Sequence, residues 1–288
     1  MPNPDPSPHF VLTLSGPDRI GIVAAVSAFL LAHRCNILDS AQFGDAGATR
    51  FFMRVDFAPE ASISLAELTR DFAPVAQPFG LQWSIHDGAV KTRTLIMVSR
   101  FGHCLNDLLY RYQIGALPIT IPAIVSNHAD FRPLVEANGI PFHHLPVTPD
   151  TKAKQERQLL DLIAAEQCEL VVLARYMQVL SQDLCRELAG KAINIHHSFL
   201  PSFKGARPYH QAHERGVKLI GATAHYVTEQ LDEGPIIEQD VARVDHAMTP
   251  NAMVAIGRDV EAVVLARAVR WHSEHRVLLN GTRTVVFR

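Results

Sequence analysis

Ala192-Ile-Asn-Ile-His-His-Ser-Phe-Leu-Pro201 is the stretch whose reading settles the larger part of the chain. Read as a strand, it sends Ile193 and Ile195 into a core and brings Asn194 and His196 together on the opposite face. It then joins a series of short apolar runs at residues 94–98, 119–125, 142–145 and 170–173, separated by helical stretches at 105–112, 131–138 and 153–166. Strands alternating with helices predict an α/β domain with an open, mostly parallel sheet and helices on both faces. Residues 219–227 add a strand, and a long helix over 251–272 and a strand near 284–287 close the domain. In such sheets ligands bind at the carboxyl ends of strands, so residues that follow each strand are the candidates for chemistry.

Upstream the pattern changes. Prolines at 2, 4, 6 and 8 remove backbone donors and fix φ, so residues 1–8 are expected to be a disordered N-terminus. Residues 10–14 form a β-rich run stopped by Ser15-Gly-Pro-Asp18, and residues 20–32 fit a helix with Asp18 placed to cap it. A strand over 36–42 and another over 49–57 are joined by a hairpin at Asp45-Ala-Gly47. In the second strand Phe51, Met53, Val55 and Phe57 share one face, while Arg54 and Asp56 point the other way. A helix over 65–72 and a strand over 81–85 complete a β-α-β-β-α-β order within residues 9–87, the ferredoxin-like arrangement. Residues 88–92 read as a linker, and 93–288 as the second domain.

Composition narrows the function. The 288 residues suit about two domains at ~150 residues each. With 48% hydrophobic and 19% charged residues the chain is not intrinsically disordered, and a net charge of −2 argues against nucleic acid or an acidic membrane as partner. No apolar run approaches the ~18 residues that span a bilayer, and the N-terminus lacks a signal-peptide pattern, so a soluble cytoplasmic protein is expected. The four cysteines, Cys35, Cys104, Cys168 and Cys185, form no C-x-x-C pair. His210-x-x-His213 and His272-x-x-His275 each put two imidazoles on one helical face without a third ligand at a metal-site spacing, so no metal is expected.

An amide donor at Asn194 beside the His196 imidazole suits an oxyanion on a carbonyl under attack. Downstream, His225-Tyr-Val-Thr-Glu-Gln-Leu-Asp-Glu-Gly-Pro235 runs from a strand into a polar loop that presents Asp232. A carboxylate near an imidazole can hold a water and move its protons. No G-x-S-x-G elbow, Cys-His signature or H-E-x-x-H motif is present, which favours direct attack by water or a bound acceptor over a covalent intermediate.

These blocks carry a resemblance. Residues 194–205 and 225–237 resemble the 10-formyltetrahydrofolate-dependent formyl transferases, a likeness that extends over residues 92–288, and Ala174-Arg-Tyr-Met-Gln-Val-Leu180 is similar to that family's pterin-contacting segment. Asn194, His196 and Asp232 fall on the family's catalytic Asn, His and Asp. The resemblance implies a Rossmann-like domain in which groups around Met177, Gln178 and Leu180, with the loop bearing Val227, Thr228, Glu229 and Leu231, hold a folate. It sets His225 near Asp232, behind the reacting groups or as plain structure, and leaves His197 either structural or helping to close the site. Residues 9–87, with Pro17-Asp-Arg-Ile-Gly-Ile22 and Asn36-Ile37, resemble an ACT domain, a small amino-acid-binding module. That likeness implies an effector at Asp18, Gly21 and Asn36, although Asp18 reads equally as an N-cap and Gly21 as a packing glycine.

An ACT module ahead of a formyl-transfer domain, and His196-His197 where the transferases usually carry His-Pro, are similar to the hydrolytic branch, the formyltetrahydrofolate deformylases. The loop Ser99-Arg-Phe-Gly-His-Cys-Leu105 has a bulky Phe and one Gly, unlike the glycine- and asparagine-containing loop that binds an acceptor's phosphate, which leaves water as the simplest acceptor. The RNA-binding extension expected of a methionyl-tRNA enzyme is not read here. The resemblance therefore implies hydrolysis of 10-formyltetrahydrofolate to formate and tetrahydrofolate, supplying formate for purine biosynthesis and balancing the one-carbon folate pool. It implies no cofactor, an amino-acid effector such as methionine or glycine, and a homo-oligomer, dimer or tetramer. Two other readings stay open: a transferase with a small amine or nucleotide acceptor, and a non-catalytic folate or amino-acid sensor.

Overall fold

The computed structural model describes residues 8–200 and 208–288. All but Pro8 of the proline-rich N-terminus, and residues 201–205 of the quoted block, lie outside the described residues. The chain divides into two compact units.

In the first unit, β1 (Phe10–Pro17), α1 (Ile22–Ala32), β2 (Cys35–Asp45), β3 (Arg50–Pro59), α2 (Leu65–Ala76) and β4 (Gln82–Asp87) build an antiparallel sheet of order β2-β3-β1-β4. Leu12, Leu14, Met53, Val55 and Phe57 from the strands join Ile22, Val26, Leu68 and Phe72 from the helices in one buried cluster. Alternation of β3 is what puts Met53, Val55 and Phe57 on that shared face. Ser64 and Glu67 close a capping box at the start of α2, satisfying two backbone donors reciprocally.

The N-terminus of α1 departs from expectation. Gly21, at φ 100°, takes the capping position with no side-chain hydrogen bond, and Asp18 lies three residues further out with its backbone N–H on the Thr49 carbonyl at 3.0 Å. The helix starts at Ile22 because only a residue without a Cβ enters this left-handed conformation freely. Asp18, Gly21 and Asn36 are all exposed.

The second face of β3 is covered. Phe52 and Arg54 are buried, and the Arg54 guanidinium donates to the Glu274 carbonyl from Nε at 3.3 Å and from Nη2 at 3.2 Å. Asn280 Nδ2 donates to Asp45 Oδ2 at 2.7 Å. These bonds explain why Glu274–Asn280 and Val285–Arg288 group with the first unit, so the second domain does not hold the whole stretch 93–288. The expected linker is a tight turn, with Gly88 N–H on the His9 carbonyl at 2.9 Å, and Thr92 already opens the next strand.

The second unit contains β5 (Thr92–Val98), α3 (His103–Gln113), β6 (Ile119–Thr120), β7 (Ile124–Ser126), α4 (Arg132–Ala137), β8 (Phe142–His144), α5 (Lys152–Ala165), β9 (Leu170–Leu173), α6 (Gln182–Glu187), β10 (Ala192–His196), α7 (Pro208–Glu214), β11 (Leu219–Tyr226), β12 (Ile236–Arg243) and α8 (Pro250–Ser273). After α8, β13 (Val277–Asn280) pairs with β14 (Arg283–Val286). The main sheet runs β12-β11-β10-β9-β5-β7-β8, parallel from β10 to β8 with an antiparallel edge of β11 and β12. Leu95, Met97, Val171 and Leu173 pack with Leu159 of α5 and Leu184 of α6, while Ile96 and Val172, pointing the other way, are equally buried. Burial on both faces is what an internal parallel sheet demands.

The run 119–125 is two strands rather than one. Pro122 offers no N–H to a ladder, so β6 ends at Thr120 and β7 begins at Ile124. Helices α6 and α7 and strand β12 were not separated by the sequence pattern, their apolar positions being few or interrupted.

Candidate active site

Strand β10 places the chemistry. Its alternation buries Ile193 and Ile195 on one side and turns Asn194 and His196 to the other. In the antiparallel ladder with β11, Asn194 stands directly opposite His225, so their side chains share that face. The Asn194 Nδ2–His225 Nε2 distance is 3.3 Å. His225 Nδ1 donates to the Tyr226 carbonyl at 2.9 Å, which leaves Nε2 as an acceptor for one amide hydrogen of Asn194 and frees the second.

The loop after β11 folds back over this face. Tyr226 N–H donates to the Pro235 carbonyl at 2.9 Å, closing residues 227–235 into a compact turn. Within it Asp232 adopts φ 58°, a left-handed conformation that costs a non-glycine residue about 1–3 kcal/mol and is retained where geometry over-determines it. That conformation delivers Asp232 Oδ2 to 3.1 Å from His196 Nδ1 and Oδ1 to 3.7 Å from His225 Nε2. Burial alone would raise the Asp232 carboxyl. The His196 and His225 imidazoles beside it outweigh that and hold it well below the usual carboxylate range. A carboxylate accepting from Nδ1 fixes the His196 tautomer with a bare Nε2. That atom is buried and has no hydrogen-bond partner among the described residues.

Asn194, His196, His197, His225 and Asp232 all line one cavity of about 260 Å³. Met177, Gln178 and Leu180 line it from the loop after β9, and Val227, Thr228, Glu229 and Leu231 from the loop after β11. Met177 and Leu231 are half exposed or more. His197 lies with its ring centroid 5.0 Å from that of His196. Burial first, then Arg175 and His196, push its pKa down to about 4, so it stands neutral in the wall.

The structure also brings in a residue that the sequence pattern left without a role. Arg175 lines the cavity, at φ 63° and buried, with Nε 3.3 Å from Glu261 Oε2. Nothing in residue spacing announces a left-handed arginine or its partner 86 positions later. His103, Cys104 and Glu261 bring three candidate metal ligands within 4.8 Å, the one such group among the described residues. Glu261, however, already accepts from His103 Nε2 at 2.8 Å and Tyr209 hydroxyl at 2.7 Å, and burial pushes the Cys104 thiol well up. The group is an ion-pair hub. His272 and His275 do not share a helical face, because α8 ends at Ser273. His272 Nδ1 meets the Tyr226 hydroxyl at 2.7 Å, and His275 stacks on His86 with ring centroids 3.6 Å apart.

Comparison with known proteins decides the family. Residues 92–269 match the formyl transferase family and residues 8–86 the ACT domain. A formyltetrahydrofolate deformylase of Corynebacterium sp. is 56% identical over 96% of this chain and 98% of its own. The chain belongs to the formyltetrahydrofolate deformylases. The Escherichia coli K12 deformylase is 43% identical over 96% of this chain and 97% of its own. The crystal structure of the Burkholderia mallei deformylase superposes with a TM-score of 0.94 at 56% identity, covering 98% of this chain and all of that one. A glycinamide ribonucleotide transformylase from Symbiobacterium toebii matches 70% of the chain with a TM-score of 0.66 at 27% identity. No helix among the described residues is long and apolar enough to cross a membrane.

Two outcomes follow from the deformylase site. A Cβ at Gly234 would lie 1.7 Å from the Tyr226 carbonyl oxygen, so Gly234→Ala must open the turn that carries Asp232. Formate release should fall at least about a hundredfold, as loss of a placed catalytic group does, with the fold retained by circular dichroism. His197, neutral when folded and normally basic when unfolded, binds a proton more readily in the unfolded chain between about pH 6.5 and 4. Stability should therefore fall as pH drops through that window, and His197→Asn should flatten the fall in denaturation midpoints.

Proposed function

We propose that Asp232, His196 and Asn194 carry out hydrolysis of 10-formyltetrahydrofolate to formate and tetrahydrofolate. The observation that supports this reading best is Asp232 Oδ2 lying 3.1 Å from His196 Nδ1 in a cavity that Asn194 lines as well. A water in the cavity attacks the formyl carbon, and its proton passes to the His196 ring, whose imidazolium Asp232 stabilises. The carbonyl π pair moves to oxygen, where Asn194 donates. The tetrahedral centre then collapses, the C–N10 bond breaks, and the ring proton goes to N10 as tetrahydrofolate departs. In this reading no metal or cofactor takes part. His225 orients Asn194, and the loops around Met177 and Leu231 grip the folate. The formate released feeds purine biosynthesis.

Incubation with 10-formyltetrahydrofolate and no acceptor should release formate and tetrahydrofolate in equal amounts. Asn194→Ala and Asp232→Asn should each lower that rate by about 10²–10³ without unfolding the chain. Wild-type rates in either variant would remove the residue from the mechanism. Product that forms only when an amine is added would favour the transferase reading.

The ACT module supports regulation by an amino acid, and we assign its site to Asp18, Gly21 and Asn36. Methionine or glycine should bind the full-length protein and shift the rate of formate release. A calorimetric titration without heat, joined to an unchanged rate, would exclude both.

A further inference from the structure

The deformylase reading leaves open what keeps other nucleophiles from the formyl carbon. The wall next to the reacting groups is built around Arg175, and both ends of that residue are fixed. Ser99, buried at the end of β5, donates its N–H to the Arg175 carbonyl at 3.3 Å. Its hydroxyl accepts from Met177 N–H at 2.9 Å and donates to Asn127 Oδ1 at 2.7 Å. The side chain reaches Glu261, which is 1% exposed, and its guanidinium lies over the Phe101 ring with Cζ 5.5 Å from the centroid. Arg258 flanks the same ring at 5.8 Å. The loop Ser99–Gly102 and the buried carboxylate thus serve to hold one cation in place. The left-handed φ of Arg175 would suit a glycine, so the side chain is kept against a backbone cost.

We propose that Arg175 determines the acceptor: held by Ser99, Glu261 and Phe101 in the cavity wall, it admits water to the formyl carbon and excludes amines. This inference rests on the hydrolytic reading of the site. Two physical effects act together. Arg175 lines the same cavity as Asn194 and His196, so its bulk takes space that a second substrate would need. Its fixed positive charge also repels an amine, which is a cation in water near neutral pH and becomes cationic again on attacking a carbonyl. Water attack places no positive charge on the nucleophile once its proton moves to His196. Glu261 is a positioning residue here, acting through Arg175.

Arg175→Gly and Arg175→Gln remove the charge, the first also relieving the backbone and the second keeping the bulk. Full-length variants would be given 10-formyltetrahydrofolate with methylamine or glycinamide, and formate and N-formyl product counted by NMR. In the transfer route the amine nitrogen bonds the formyl carbon, the C–N10 bond breaks, and an amine proton ends on N10. The share of formyl groups reaching the amine should rise at least about tenfold in both variants relative to wild type. Glu261→Gln should raise it less. Because the readout is a ratio, a slower overall rate does not affect it. An unchanged share in a folded variant would overturn the proposal. So would a folded variant that consumes substrate by neither route, which would put Arg175 among the catalytic groups instead. If the glycine variant fails to fold, the glutamine variant decides by the same ratio. Acceptor-free formate release by the wild type tests the hydrolytic reading separately.

Discussion

The contact between Asp232 and His196 governs the architecture around it. A mostly buried carboxylate is expensive unless charged partners and hydrogen bonds compensate it, and this one accepts from His196 Nδ1 at 3.1 Å with the His225 ring 3.7 Å from its other oxygen. The arrangement requires His196 at the end of β10, His225 opposite Asn194 on β11, and a loop that returns over the sheet at one height. The 3.1 Å contact fixes the ring and its tautomer, and everything said about proton movement depends on that.

Backbone geometry sets how tightly the loop must return. Gly234 passes so close to the Tyr226 carbonyl that no side chain fits, and Asp232 accepts a left-handed φ to reach its partners. The register shift between Ala224 and His225 in the β11–β12 pairing falls at the same place, a local irregularity of the kind that re-aims a side chain beside a site. Thr223 holds the other flank, accepting from Leu200 N–H at 3.1 Å and donating to the Ser198 carbonyl at 3.0 Å, so the chain leaving β10 is pinned directly beyond His196 and His197.

Much of this is legible in the sequence itself. Period-two alternation in residues 192–196 put Asn194 and His196 on one face, and alternation in residues 51–57 identified the core side of β3. That Asn194, His196 and Asp232 meet in one cavity was legible because strand parity and motif order report directly on side-chain direction. What escaped was conformation that residue type does not encode. The left-handed backbone at Gly21, Arg175 and Asp232 is not read from the sequence: glycine merely permits that region, and L residues enter it only when tertiary contacts compel it. Asp18 looked like a cap because capping residues precede helices, yet Gly21 makes the turn instead. The covered face of β3 was equally hidden: Arg54 looks like a solvated charge until Glu274, 220 positions away, supplies the acceptor. The division at residue 88 likewise could not show that residues 274–280 and 285–288 group with the first unit.

The account stands on the protonation pattern of His196. Selective ¹⁵N labelling of histidine and NMR of the ligand-free protein at pH 8 would read both ring nitrogens, with His196→Gln assigning the signal. The account predicts a proton on Nδ1, hydrogen-bonded to Asp232, and a bare Nε2 that gains a bond when a substrate analogue binds. A neutral ring carrying its proton on Nε2 would contradict it, since neither the carboxylate contact nor the capture of a water proton could then operate as described.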